Sequence, residues 1–190
     1  MKNTDLVIAI DDYDVTSIMR LFNEDEGKEY LKEKGVKDEI IEKLHLLGLS
    51  SIANMLMAIK FAKYYELTED DVVLTVFTDS MEMYNSRMVE QREEKGAYTK
   101  EDAIKDYYSS LISQKADNMI ELNYLQKKRI HHLKYFTWIE QQERELDELN
   151  RQWYDDDYWT EIQSMVEPID ELIEKFNERV FEEPPKICLV

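Results

Sequence analysis

A chain of 190 residues with 42 acidic and 24 basic side chains carries a formal charge of −18, and 43% of its residues are hydrophobic. That apolar share argues for a buried core over a disordered chain, and the acidic excess argues against a broad nucleic-acid contact or docking on an anionic membrane. No apolar run is long enough to span a membrane, residues 6–10 are too short for a signal-peptide core, and the single Cys188 makes no internal disulfide, so a soluble cytoplasmic protein is expected.

In chain order, residues 6–10 read as a short buried strand that Asp11 and Asp12 end. Asp14 or Thr16 starts a helix carrying Ile18, Met19, Leu21 and Phe22. Gly27 and Gly35 punctuate two short helical pieces, one with Tyr30 and Leu31, the other with Ile40, Ile41 and Leu44. Gly48 then makes a turn, and Ser50 or Ser51 caps a helix with Ile52, Met55, Leu56 and Ile59 on one face. Lys60 and Lys63 fall on this helix, with nothing in the sequence to desolvate them.

Residues 72–77, VVLTVF, form a continuous apolar, β-branched run, as expected of a strand buried on both faces of a parallel sheet. Thr78, Asp79 and Ser80 follow at its carboxyl end, where open α/β sheets hold ligands. Two strands joined through helical crossovers imply parallel pairing in an α/β layer. Sheets usually have about four to six strands. Either the missing strands come from another polypeptide, or the helices cover the pair alone.

After Tyr84 a charged helix runs to about Lys95 and breaks at Gly96. Thr99 and Asp102 stand close to a capping-box pattern, and helix is expected from there to about Val180. Ile104, Tyr107, Leu111 and Ile112 begin its apolar stripe, which Met119, Leu122, Leu125, Ile130 and Leu133 continue. Tyr135, Phe136, Trp138, Trp153, Tyr154, Tyr158 and Trp159 suit a core or an oligomer interface. A last amphipathic helix carries Ile162, Met165, Val166, Ile169, Leu172, Ile173 and Phe176, with Pro168 kinking it or lying near its first turns. Pro184 and Pro185 end the fold. The organisation expected is a partial α/β segment at 1–95 and a helical packing or oligomer region at 96–190.

The stretch GLSSIA at 48–53, the helix and apolar run after it, and the Asp79-Ser80-x-x-x-Tyr84 turn resemble the last part of the cysteine synthase-like, fold-type-II (tryptophan synthase beta-like) pyridoxal-phosphate enzymes. The likeness continues through DLVIAIDDYD, RLFNEDEGKEYL, SRMVEQREEKGAYT, KKRIHHLKYFTWIEQQ and LNRQWYDDDYW. It implies an α/β fold, the carboxyl-terminal half of such an enzyme, followed by a mainly helical extension. It also implies a lyase that eliminates or replaces a leaving group on a small amino acid, with Ser50 at the pyridine nitrogen of the cofactor and Asp79 and Ser80 beside its ring. The Schiff-base lysine, the substrate loop and the glycine-rich phosphate loop are missing from this chain. Pyridoxal phosphate would therefore bind only with a partner subunit or amino-terminal half that supplies them. No catalytic residue lies in this chain, which is not expected to be active alone, and a homo-oligomer is expected.

Plainer readings stand beside these. Ser50 is a helix cap, Asp79 closes a strand-ending turn, Tyr84 packs near the same place, and Asn54 points either to the site or to a neighbouring helix. The alternative function is a non-catalytic, acidic, helical interaction or oligomerisation module. No metal is expected, because His131 and His132 are adjacent and point to different faces, and neither His45 nor the Asp117/Glu121 pair has ligand spacing. Lys127, Lys128 and Arg129 read as a solvated or salt-bridged face rather than a nucleic-acid site.

Overall fold

Asp11, three residues past the end of the first strand, starts the first helix. Its carboxylate accepts from the Tyr13 backbone N–H at 2.8 Å, so helix α1 runs Asp12–Asn23 and begins earlier than apolar spacing alone suggests. The computed structural model describes residues 2–182, which divide into one unit at 6–121 and another made of 122–182 with 2–5. Cys188, Pro184 and Pro185 lie outside the described residues.

In the first unit α1 is the central element, burying Val15, Ile18, Met19, Leu21 and Phe22. It packs against α2 (Asp25–Glu33), α4 (Leu49–Tyr64) and α6 (Lys100–Asp106), while a short α3 (Asp38–Ile41) follows α2. Ile52 and Leu56 of α4 are fully buried with Ile18, Met19 and Leu21, and these side chains form the centre of the core. Helix α5 (Asn85–Lys95) ends at Gly96, whose φ of 80° is a conformation that favours glycine. Thr99 then caps α6 through the capping box expected with Asp102, and the helix widens to a π-helical stretch over Tyr107–Ile112.

The expected α/β layer does not form. The chain is mainly helical, and the described residues contain a single two-stranded sheet. Strand β1 (Leu6–Ile8) pairs antiparallel with β2 (Met119–Glu121), setting Leu6 against Glu121, Val7 against Ile120 and Ile8 against Met119. This corrects two expectations together: the partner of β1 is not the 72–77 run, and 119–121 is strand where helix was expected. The physical reason is that β1 meets β2, leaving the apolar 72–77 run with no strand beside it. It is irregular and exposed. The resemblance to the cysteine synthase-like enzymes implied a parallel sheet holding that run, and the observed fold overturns it.

In the second unit Asn123 and Gln126 form a capping box that starts α7 (Tyr124–His132), and a π-helical stretch follows over Tyr135–Glu140. Helices α8 (Leu146–Tyr154), α9 (Tyr158–Ser164) and α10 (Val166–Glu182) complete it. Leu149, Trp153 and Tyr158 are buried with His131. Of the aromatic stripe, Tyr135, Phe136, Tyr154 and Trp159 stay exposed. Pro168 occupies the third position of α10, within the first turn, where its missing N–H removes no intrahelical bond. No helix among the described residues is long and apolar enough to cross a membrane.

Candidate functional site

Helix α4 begins at Gly48, a residue with no side chain to cap it. The cap comes from Asp79. Its carboxylate accepts from the backbone N–H of Ser50 (3.2 Å) and of Ser51 (3.0 Å), from the Ser51 hydroxyl (2.7 Å) and from the Tyr84 hydroxyl (2.6 Å). The Asp79 carbonyl in turn accepts from Gly48 N–H at 3.0 Å and from the Ser51 hydroxyl at 2.9 Å. A side chain at position 48 would drive its Cβ to 2.7 Å from Asp79 Cγ, which is why the turn needs glycine here. Partial burial pushes the Asp79 carboxyl up, but the donors from Tyr84, Ser51 and the two backbone amides outweigh it and hold the group at about 2. The same contact raises the Tyr84 hydroxyl above its ordinary value.

Two of the three expected cofactor residues thus meet, in a different arrangement from a simple serine cap. Ser51, not Ser50, carries the side-chain bonds to Asp79, and Ser50 contributes its backbone N–H while lying exposed. Ser80 sits next in the chain, half-buried, and its carbonyl accepts from Met83 N–H at 3.2 Å to start the turn Met81–Tyr84. An anion at the start of α4 would have to displace a carboxylate that already satisfies those amides. Asn54, one turn along, donates its amide to the Val76 carbonyl at 2.8 Å and so tethers the 72–77 run to α4.

Lysine 60 departs from expectation. It is 5% exposed, and its Nζ donates to the carbonyls of Ala9 (3.3 Å) and Asp117 (3.0 Å) and to the Asp117 carboxylate (3.0 Å). That ion pair holds the Asp117 carboxyl below its ordinary range. Lys63 donates to the carbonyls of Ile112 (2.9 Å) and Gln114 (2.8 Å). One face of α4 therefore binds the backbone leading into β2. Sequence reasoning missed this because the acceptors are backbone atoms about fifty residues away.

Other buried polar groups are also committed to structure. Arg20 stacks 4.8 Å above the Tyr98 ring, donates to the Gly96 carbonyl at 2.8 Å and pairs with Glu24 at 3.6 Å, which Arg92 also holds at 2.9 Å. The Tyr98 hydroxyl donates to Asp106 at 2.9 Å, and burial raises both the Tyr98 hydroxyl and the Asp106 carboxyl above their ordinary values. The cavity bordered by Tyr13, Arg20, Tyr98 and Asp106 holds only about 50 Å³, too little for an organic substrate. An open cleft of about 370 Å³ by α2 and α3 is bordered by Lys32, Asp38 and His45, and Lys32 and Asp38 pair across 3.1 Å. In the second unit His131 contacts the Leu149 carbonyl at 3.0 Å, and burial lowers its pKa below the ordinary value. No group of metal-ligating side chains is found among the described residues.

No protein family, curated protein or solved structure matches this chain. Each unit leaves an exposed apolar stretch. These are the 72–77 run in the first and the apolar face of α10 in the second.

Proposed function

We propose that this chain is an acidic helical interaction module, without a catalytic role of its own, that self-associates through α10. The observation that carries this reading is the spacing of apolar side chains on that helix. Val166, Ile169, Ile173, Phe176 and Val180 recur at intervals of three and four, the seam of a coiled coil. All five are exposed. Glu167, Glu171, Glu174 and Glu178 fall on the opposite side, away from the seam. The positions flanking it hold Asp170, Leu172, Asn177 and Arg179, one acid and one base, so charge does not oppose a second copy there.

Fully burying a Val, Ile or Phe side chain contributes roughly 1.5–3 kcal/mol, and these five, 44–65% exposed, have about half of that left to gain. Five such side chains from each of two copies offset an association cost of about 4–15 kcal/mol. The shifted titratable groups of both units serve caps, ion pairs and core contacts, which supports an interaction role over chemistry. A cytoplasmic location goes with this reading.

Sedimentation equilibrium of the whole chain tests it. A dimer that Ile173→Asp or Phe176→Asp converts to monomer, with helix content unchanged, is the expected result. A chain that stays monomeric at hundreds of micromolar ends the reading.

A second reading is that a partner subunit with the Schiff-base lysine completes a pyridoxal-phosphate pocket acting on a small amino acid. Its one supporting observation is that Ser50, Asp79 and Ser80 lie at the end of the uncovered 72–77 run, where an arriving chain would meet them. Against it, the Asp79 oxygens and the first free amides of α4 already satisfy each other. A yellow complex of this chain with a co-purified subunit, bleached by hydroxylamine, is its expected signature. A complex that stays colourless with added pyridoxal phosphate removes it.

A further inference from the structure

The run at 72–77 is apolar, exposed and paired with no strand. Among the described residues, no backbone-to-backbone hydrogen bond joins residues 72–78 to any other part of the chain. Val72 and Leu74 are 91% and 92% exposed, and Val76 is 66% exposed, on an alternating pattern suited to extended backbone. Six apolar or β-branched residues whose peptide groups, apart from the Val76 carbonyl held by Asn54, have no backbone partner are the form in which a sheet edge recruits another strand.

The run also follows a closed local turn and is held to α4 at its carboxyl end. Before it, Thr68 N–H donates to the Asp71 carboxylate at 2.8 Å and Asp71 N–H to the Thr68 carbonyl at 3.2 Å. After it comes the Asp79 clamp, and within it Asn54 holds the Val76 carbonyl. Anchoring of this kind removes part of the ordering entropy that a free segment loses on binding.

Charge selects the occupant. Glu66, Glu69, Asp70 and Asp71 precede the run and Asp79 and Glu82 follow it, with no lysine or arginine between Lys63 and Arg87. A second copy in either direction would set acidic flank against acidic flank, and like charges directly opposite destabilise a strand pair. We propose that residues 72–77 bind an apolar β-strand of a different polypeptide whose flanks carry lysine or arginine, by strand addition. This surface and partner are separate from the pairing of α10, so either proposal can fail alone.

Three fluorescently labelled peptides test it against the full chain. One has a six-residue Val/Ile/Thr core with two lysines at each end, one has the same core between glutamates, and one copies residues 69–80. The lysine-flanked peptide is expected to bind at least tenfold more tightly than the other two, more weakly as salt rises, and to slow amide exchange at 72–77. Leu74→Pro removes one ladder N–H at an exposed position and is expected to abolish that protection while leaving the circular dichroism unchanged. Equal binding of the lysine and glutamate peptides overturns the charge argument. Tightest binding by the 69–80 peptide makes a second copy the occupant, and no protection of 72–77 by any peptide ends the proposal.

Discussion

The Asp79 carboxylate and the Ser51 hydroxyl stand 2.7 Å apart although twenty-eight residues separate them, and this contact closes the amino terminus of α4. The cap is tertiary where most are local. Losing it leaves two helix amides and a hydroxyl without their acceptor.

Asp79→Ala is therefore expected to destabilise the first unit by about 1–3 kcal/mol at pH 7. Folding holds this carboxyl at about 2, below its ordinary 3.8. A depressed carboxyl pKa stabilises the fold above the unfolded value, and the stabilisation is lost as pH falls through the folded one. Urea midpoints for the two proteins should thus differ at pH 7 and converge from about pH 4 toward pH 2. A constant gap over that window would mean that ionisation of Asp79 is irrelevant to the cap.

Lys60→Met keeps most of the side-chain volume and removes the charged donor shared by Ala9 and Asp117. The loss expected is about 1.5–3 kcal/mol. It should appear first as faster exchange of the Ala9 amide, which donates to the Asn118 carbonyl at 2.9 Å beside the β1–β2 pair. Unchanged exchange there would show that the sheet does not depend on α4.

Asp106→Asn retains an oxygen for the Tyr98 hydroxyl and removes a buried charge. Burial raises the Asp106 carboxyl above its ordinary value despite the bond from Tyr98. A raised pKa contributes stability below the unfolded value that is lost as pH rises through the folded one. The variant should melt higher at pH 7, with the difference vanishing in acid. A lower Tm at pH 7 would assign the charged form a stabilising partner.

Gly27→Ala tests how closely α1 and α2 approach. A Cβ at position 27 would lie 2.1 Å from the Leu21 carbonyl oxygen, so backbone must move. Overpacking of this kind costs about 1–3 kcal/mol, more than the ~1 kcal/mol that alanine gains in helix propensity. A chemical-denaturation midpoint at or above that of the parent would refute the close approach.

The sequence by itself determined what is decided within a few residues. The Thr99–Asp102 box, the apolar faces of α1 and α4, the break at Gly96 and the amphipathic α10 all depend on caps and periodicities spanning one or two helical turns. A strand was legible at residues 6–10 for the same reason, two residues longer than the observed Leu6–Ile8. Tertiary structure alone decided the rest. Met119–Glu121 became a strand by meeting β1 more than a hundred residues earlier, Lys60 became buried through backbone carbonyls on two distant segments, and Asp79 reached α4 across the 72–77 run. That run has the composition of a buried strand and lies exposed, because β propensity describes a side chain's fit to a neighbouring strand and cannot supply one.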